Sequence, residues 1–156
     1  MSTAAQVRTA WQTNVFDHAT VTAITSNAVT AEFKELTRKH LEGLIENQEI
    51  NFFNYLVSRT PQQDQISGAA LVLYLYEVEV NYYRESKPDR TNYVTALDAF
   101  ETVGDRVLSG LGSTWGGTVD FHTLPEEQPE VSEVIINNRE CWRVTQTYTA
   151  QRRTTI

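Results

Sequence analysis

Three histidines, one cysteine, a pair of alternating carboxylates and a glycine-rich run are the residues of this 156-residue chain whose types could do chemistry. His18, His40 and His122 lie far apart, and none has a second histidine or a cysteine at metal-ligand spacing. His40 falls on the apolar stripe of a helical pattern and reads as a core-edge histidine; His122 alternates with Phe121 and is expected to face solvent. Glu77 and Glu79 share one face of a strand pattern. In a pocket they would be the ingredients of general acid/base catalysis, but a strand emerging into water carries the same pattern. Serines are scattered, without the spacing of a nucleophile elbow. The run Gly110-Leu111-Gly112-Ser113-Thr114-Trp115-Gly116-Gly117 resembles a phosphate loop only in composition. Such a loop places its glycines between a strand and a helix start, so that amide dipoles point at the anion, whereas these follow a helix and precede a strand. No catalytic residue, cofactor or metal is expected.

Composition narrows the function classes. Thirteen basic and 20 acidic side chains give a net charge of −7, which argues against a protein that binds nucleic acid by neutralising phosphates. Cys141 is the lone cysteine, so no intrachain disulfide can form and an intracellular folding compartment is favoured. The N-terminus has no basic start followed by an apolar run, and no stretch is long enough to span a bilayer; a soluble chain without membrane contact is expected. With 40% hydrophobic residues, residues 1–156 fit a single domain with a real core.

The elements that would position these groups centre on the stretch from Ala69 to Tyr83. Val72, Tyr74, Tyr76, Val78, Val80 and Tyr82 share one strand face, and Leu71, Leu73, Leu75, Glu77, Glu79 and Asn81 the other. Its first half is apolar on both faces and its second half on one, which predicts a strand that begins in a covered sheet and runs out toward water or a partner. Its length of roughly 50 Å exceeds the roughly 40 Å of a compact globule of this size, so it should bend or project. Ahead of it, Ser2 or Thr3 can cap a helix carrying Val7, Trp11 and Val15. Residues 17–30 are ambiguous, with Val21, Ala23 and Ile24 compatible with a short strand. Phe33, Leu36, His40, Leu41, Leu44 and Ile45 predict an amphipathic helix over 31–46. A strand over 48–59 ends at Thr60-Pro61, and a polar loop then leads antiparallel into the long strand, the two forming the centre of the sheet.

After Ser86-Lys87-Pro88-Asp89-Arg90, a helix capped by Asp89 or Thr91 is predicted from Val94, Leu97, Phe100, Val103, Val107, Leu108 and Leu111, with Gly104 allowing close packing and Gly110 or Gly112 at its end. Val119, Phe121 and Thr123 begin another strand. An acidic, proline-flanked loop, Leu124 to Glu130, leads to a C-terminal hairpin turning at Asn137-Asn138. Arg139, Arg143, Arg152 and Arg153 make its second strand basic against Glu140, either to meet an acidic neighbour or copy or as a charged edge guarding against aggregation. Residues 151–156 read as a flexible tail, ordered only when something holds it. The sum is an α+β domain, an antiparallel sheet with a long central hairpin and two to three helices packed on it.

This order and size, the aromatic strand Ile50-Asn51-Phe52-Phe53-Asn54-Tyr55, the strand Tyr76-Glu77-Val78-Glu79-Val80-Asn81-Tyr82-Tyr83, the helix segment Ala96-Leu97-Asp98-Ala99-Phe100-Glu101 and the late Cys141-Trp142-Arg143 resemble the tail terminator proteins of long-tailed bacteriophages. The likeness covers about residues 45–150 and rests on element order and residue types; the N-terminal part departs by a longer helical section. The resemblance implies a virion protein at the head-proximal end of the tail, assembled in the host cytoplasm. It would form a homo-hexameric ring that caps the tail tube protein and joins it to the head–tail connector or stopper protein, while DNA passes through the lumen without specific binding. Subunit contacts are then expected at Tyr82 and Tyr83, whose alternative role is to cover the domain's own core, with Arg152 and Arg153. Glu126, Glu127 and Glu130 are candidates to line the lumen or face a partner, where acidity keeps DNA from adhering, with a plain solvated loop as the alternative. Two alternatives stand beside it: another ring component of a phage tail or injection machine (tube, connector or baseplate adaptor), and a small-ligand-binding α+β domain with a pocket lined by Tyr74, Tyr76 and Trp142.

Overall fold

Alternating side chains on two long segments set the architecture. The computed structural model describes residues 3–25, 50–63, 71–86, 93–136 and 138–155. Its elements are helices α1 (Ala4–Trp11), α2 (Ala19–Thr22) and α3 (Tyr93–Arg106), and strands β1 (Asn51–Gln63), β2 (Leu71–Glu85), β3 (Phe121–Thr123), β4 (Glu130–Ile136) and β5 (Arg139–Thr155). The strands form one antiparallel sheet in the order β1-β2-β5-β3, with β4 also paired to β5. The fold is therefore α+β, with the long β1–β2 hairpin running in register from Asn51↔Arg84 to Gln63↔Val72.

Three features of the sheet differ from the expectations above. The middle is held by β2 and β5, which pair from Leu71↔Thr155 to Glu85↔Cys141, while β1 ends the strand order among the described residues. Pro61 does not end β1, which continues to Gln63. At the end of a strand order a missing N–H takes nothing from a neighbour, so proline is tolerated there. Residues Gln151–Thr155 are strand, because β2 is long enough to pair with them all. The turn between β4 and β5 has Asn138 at φ 62, a conformation asparagine tolerates better than most residues.

Thr3 caps α1 through a capping box, its Oγ1 accepting from the Gln6 amide at 3.2 Å while its own amide donates to Gln6 Oε1 at 2.8 Å. The helix then widens into a π turn, Gln12–Phe16, closed by the Asp17 amide on the Gln12 carbonyl at 2.8 Å. One extra residue in the turn lets both Val15 and Phe16 point inward beside Val7 and Trp11. The described part of the ambiguous stretch after it is helical rather than strand: α2, begun by His18 Nδ1 accepting from the Thr20 amide, and a 3₁₀ turn, Ala23–Thr25; residues 26–30 lie outside the described residues. The helix expected over 31–46, with His40, lies outside the described residues, as do Asp89 and Thr91.

α3 buries Ala96, Ala99, Phe100 and Val103 and also continues into a π turn, Val107–Leu111, which buries Val107 and Leu111. Leu108 and Val94, expected on the same stripe, are about half exposed. Where the two π turns meet, Arg106 donates from Nη2 (2.7 Å) and Nε (3.1 Å) to the Asn14 carbonyl. The close approach is at Gly110: a Cβ there would lie 2.8 Å from Asn14 O and from Arg106 Cζ. At Gly104, where close packing was expected, the nearest atom is an ordinary 3.8 Å away. These helices cover one sheet face, where Phe53, Tyr55, Val57, Tyr76, Val78, Val80, Tyr82, Val144, Tyr148 and Ala150 complete the core. Trp11 is its hub, edge-on to Trp115 with centroids 5.2 Å apart and tilted against Tyr148 at 5.2 Å. Such pairs add about 0.5–1.5 kcal/mol each beyond burial.

Candidate assembly surfaces

The resemblance placed subunit contacts at the Tyr82–Tyr83 end of β2, and the fold puts both residues inside the chain. Tyr82 is fully buried, its ring tilted against Phe53 at 4.4 Å and its hydroxyl donating to Asn51 Oδ1. Asn51 is itself buried, with Nδ2 donating to the Ile24 carbonyl at 3.1 Å. Tyr83, on the opposite face, stacks on Phe52 at 5.1 Å in a second small core with Ile50 and Cys141. Burial raises the Tyr83 hydroxyl pKa; Arg143 opposes that shift and Glu79 adds to it. β2 is paired on both sides along nearly its whole length, but its second half has a packed cluster on each face, the main core at Tyr82 and the small core at Tyr83.

The less covered end is the first half of β2. Tyr76 and Ala150 form the last fully buried row, and beyond it Val72, Leu73, Tyr74 and Leu75 are all half-buried, on both faces. Beside them Thr60, Pro61 and Gln62 of β1 are exposed. The three strands β1, β2 and β5 thus run about five residues, or roughly 16 Å, past the core. Arg59 lies over the Tyr74 ring, 3.9 Å from its centroid, a cation–π contact that covers an aromatic face at the strand ends. Leu73 pairs with Arg153 and Leu75 with Gln151, next to the half-exposed Phe121 of β3.

The two candidate arginines have different positions. Arg152 reaches back into its own chain, donating from Nη1 to the carbonyls of Gly117 (3.2 Å) and Thr118 (2.9 Å). It thereby fastens the glycine turn, in which Gly112, Trp115, Gly116 and Gly117 all have positive φ. Arg153 has an exposed side chain, and its amide donates to Asp120 Oδ2 at 2.8 Å.

Glu126 and Glu127 on the β3–β4 connection and Glu130 at the start of β4 are exposed and are brought together. With Pro125, Gln128, Thr145, Gln146 and Thr147 they line an open cavity of about 310 Å³. Gln146 fixes the loop by donating from Nε2 to the Glu127 carbonyl at 3.1 Å.

The residues singled out for chemistry are dispersed. His122 faces inward rather than to solvent, its Nδ1 accepting from Trp115 Nε1 at 3.0 Å, and Phe121 is the exposed neighbour. A buried indole N–H needs an acceptor, which is what this histidine supplies. Glu79 pairs with Arg143 Nη2 at 3.7 Å, and Arg143 Nε and Thr145 Oγ1 both donate to the buried Asn81 Oδ1. Across the strand from Asn81, Asn54 is buried, and among the described residues its Oδ1 has no hydrogen-bond partner. Cys141 is buried, and desolvation first, with the Glu85 carboxylate second, pushes its thiol up to about 11. Tyr74, Tyr76 and Trp142 do not line one cavity: Tyr76 pairs with Ala150, eight positions along β5 from Trp142, or roughly 26 Å. Among the described residues no group of three or more His, Cys, Asp or Glu converges as metal ligands, and no helix is long and apolar enough to cross a membrane.

Sequence reasoning missed that, among the described residues, β1 has a strand on one side only and no strand pairs with Gln146–Tyr148 on the far side of β5. Leu56 and Pro61 on β1 were the available signals. No family model matches the chain, and no curated protein matches it.

Proposed function

We propose that the protein is a structural component of a long-tailed phage virion, the terminator that closes the tail tube as a homo-hexameric ring and joins it to the head connector, with DNA passing through the lumen. What supports this reading is the extension of β1, β2 and β5 past the core, with half-buried apolar side chains on both faces. Apolar strand ends left partly open favour a protein partner. A ring requires two different surfaces that meet head to tail and close. The net charge of −7 suits a channel wall that DNA must traverse without adhering. The burial of Tyr82 and Tyr83 moves the expected contact from the second half of β2 to its first half and the strands beside it.

Particle mass and shape test the reading. The protein alone, or with purified tail tubes, is expected to form closed rings of six that bind one end of a tube. A strict monomer in both conditions at high concentration refutes it. Long self-stacked polymers would identify a tube protein instead, and a ring that ignores tube ends but binds connectors or baseplates would identify one of the neighbouring components.

A further inference from the structure

The connection from β3 to β4, residues 124–129, is fastened at one point. Gln146 donates from Nε2 to the Glu127 carbonyl at 3.1 Å, and among the described residues no other hydrogen bond or ion pair reaches the connection. Leu124, Glu126, Glu127 and Gln128 are exposed, so packing holds it only at the half-buried Pro125 and Pro129. The fastening is aimed from the core. Tyr148, buried against Trp11, donates from its hydroxyl to Gln146 Oε1 at 3.2 Å. With Oε1 so used, the donor end of the amide is the one that faces the loop. Against this single neutral bond stand Glu126, Glu127 and Glu130, which line one open hollow and have no cation paired to them among the described residues. Like charges gathered in this way repel, and salt screens the repulsion.

We infer that residues 124–129 form an electrostatically loaded strap with two positions. It is closed when Gln146 holds the Glu127 carbonyl and open when that bond breaks, with Tyr148 as the residue that positions the tether. Opening carries Glu126 and Glu127 away from Glu130 and relieves their repulsion, so salt favours the closed position and its removal the open one. The strap lies over Gln146–Tyr148, where no strand pairs with β5 on that side among the described residues. Its movement therefore leaves the β-ladders on either side intact. The strap belongs to the single chain and needs no ring.

The test is spin labelling of the full chain. A nitroxide on Gln128→Cys, an exposed position in the strap, reports its motion, and the native Cys141 is buried and protonated near neutral pH, so it stays unlabelled. At moderate salt the spectrum is expected to show a restrained component. Gln146→Met, which keeps the stem and lacks the donor, should abolish that component, and Tyr148→Phe, which keeps the buried ring, should reduce it. Lowering the salt should also reduce it, but less in Glu126→Gln/Glu127→Gln. A control label at Asp98→Cys, exposed on α3, should not respond to any of these changes. A spectrum without the restrained component before any change at Gln146 overturns the closed position, and one that Gln146→Met leaves unaltered overturns the tether. No effect of Tyr148→Phe overturns the positioning role, and equal salt responses with and without the carboxylates overturn the electrostatic loading. Circular dichroism matching wild type shows that each variant is folded before it is scored.

Discussion

Gly110→Ala tests whether the two π turns are locked together. The new Cβ would fall 2.8 Å from the Asn14 carbonyl oxygen and 2.8 Å from Arg106 Cζ, short of ordinary contact by roughly half an ångström or more. The carbonyl belongs to the backbone of the first π turn and cannot rotate away, so the guanidinium or a whole helix end has to move. Moving the guanidinium weakens two bonds, from Nη2 at 2.7 Å and Nε at 3.1 Å. Hydrogen bonds from a charged donor contribute about 1.5–3 kcal/mol each. Overpacking of a tight site costs about 1–3 kcal/mol, and alanine in a helix gains back about 0.5–1 kcal/mol over glycine. The net expectation is a loss of about 2–4 kcal/mol, and a fall in melting temperature on the order of 10 °C for a chain of this size. Urea titration followed by tryptophan fluorescence reads it, since Trp11 and Trp115 are fully buried in the same core. A Gly110→Ala protein within about 0.5 kcal/mol of wild type, or more stable, would show that propensity outweighs the clash and that the turns are not locked.

Tyr82→Phe is expected to lower stability by about 1–2 kcal/mol in the same titration, because it removes the donor to the buried Asn51 Oδ1. Particle mass should not change, since the ring of Tyr82 is inside the subunit; a variant that lost its assembly at unchanged stability would contradict that placement. Tyr148 supplies a pH dependence. Burial raises its hydroxyl from 10.0 to about 12, so its contribution is fully present below pH 10 and is lost as pH rises from about 10 to about 12. The unfolded chain ionises there and the folded one does not, a difference of about 3 kcal/mol. Buried Cys141, raised from 9.0 to about 11, adds a second loss beginning near pH 9. Denaturant midpoints across this range should fall less steeply in Tyr148→Phe, and equal slopes would refute the assignment.

Much of the fold was legible because side-chain period is a local signal. Val7, Trp11 and Val15 marked α1, the alternation from Val72 to Tyr82 marked β2, and Asn137-Asn138 marked the last turn. Strand order was not legible, because it depends on which edges meet across the whole chain. The aromatic character of β1 on both faces suggested a central strand, yet among the described residues it pairs with β2 alone; Phe16 packs against Phe53 and Tyr55 on its inward face, and Tyr83 stacks on Phe52 on the other. The π turns were hidden for a related reason. A single inserted residue changes the stripe after it, so Leu108 was read as core while the structure exposes it. For the assembly surface the error ran along the strand. Glu77 and Glu79 made the second half of β2 look solvated, and the sequence alone did not reveal that Arg143, Thr145 and Cys141 lie beside it. The loop carboxylates were found from composition, but the break in β5 that gives them a hollow required the pairing register.

β5 also sets a timetable. It pairs with β2, β3 and β4, and its partners in β2 lie roughly 55 to 85 residues away in sequence. The β1–β2 and β4–β5 hairpins can close locally, but joining them requires ordering the long intervening chain first, a loop-closure cost that slows folding. During synthesis β2 is made well before β5 and would present an uncovered strand until β5 emerges. Because Gln146 of β5 also anchors the acidic loop, that loop is not fixed before this step. Formation of the sheet would therefore act as a checkpoint that keeps half-made chains out of the assembly.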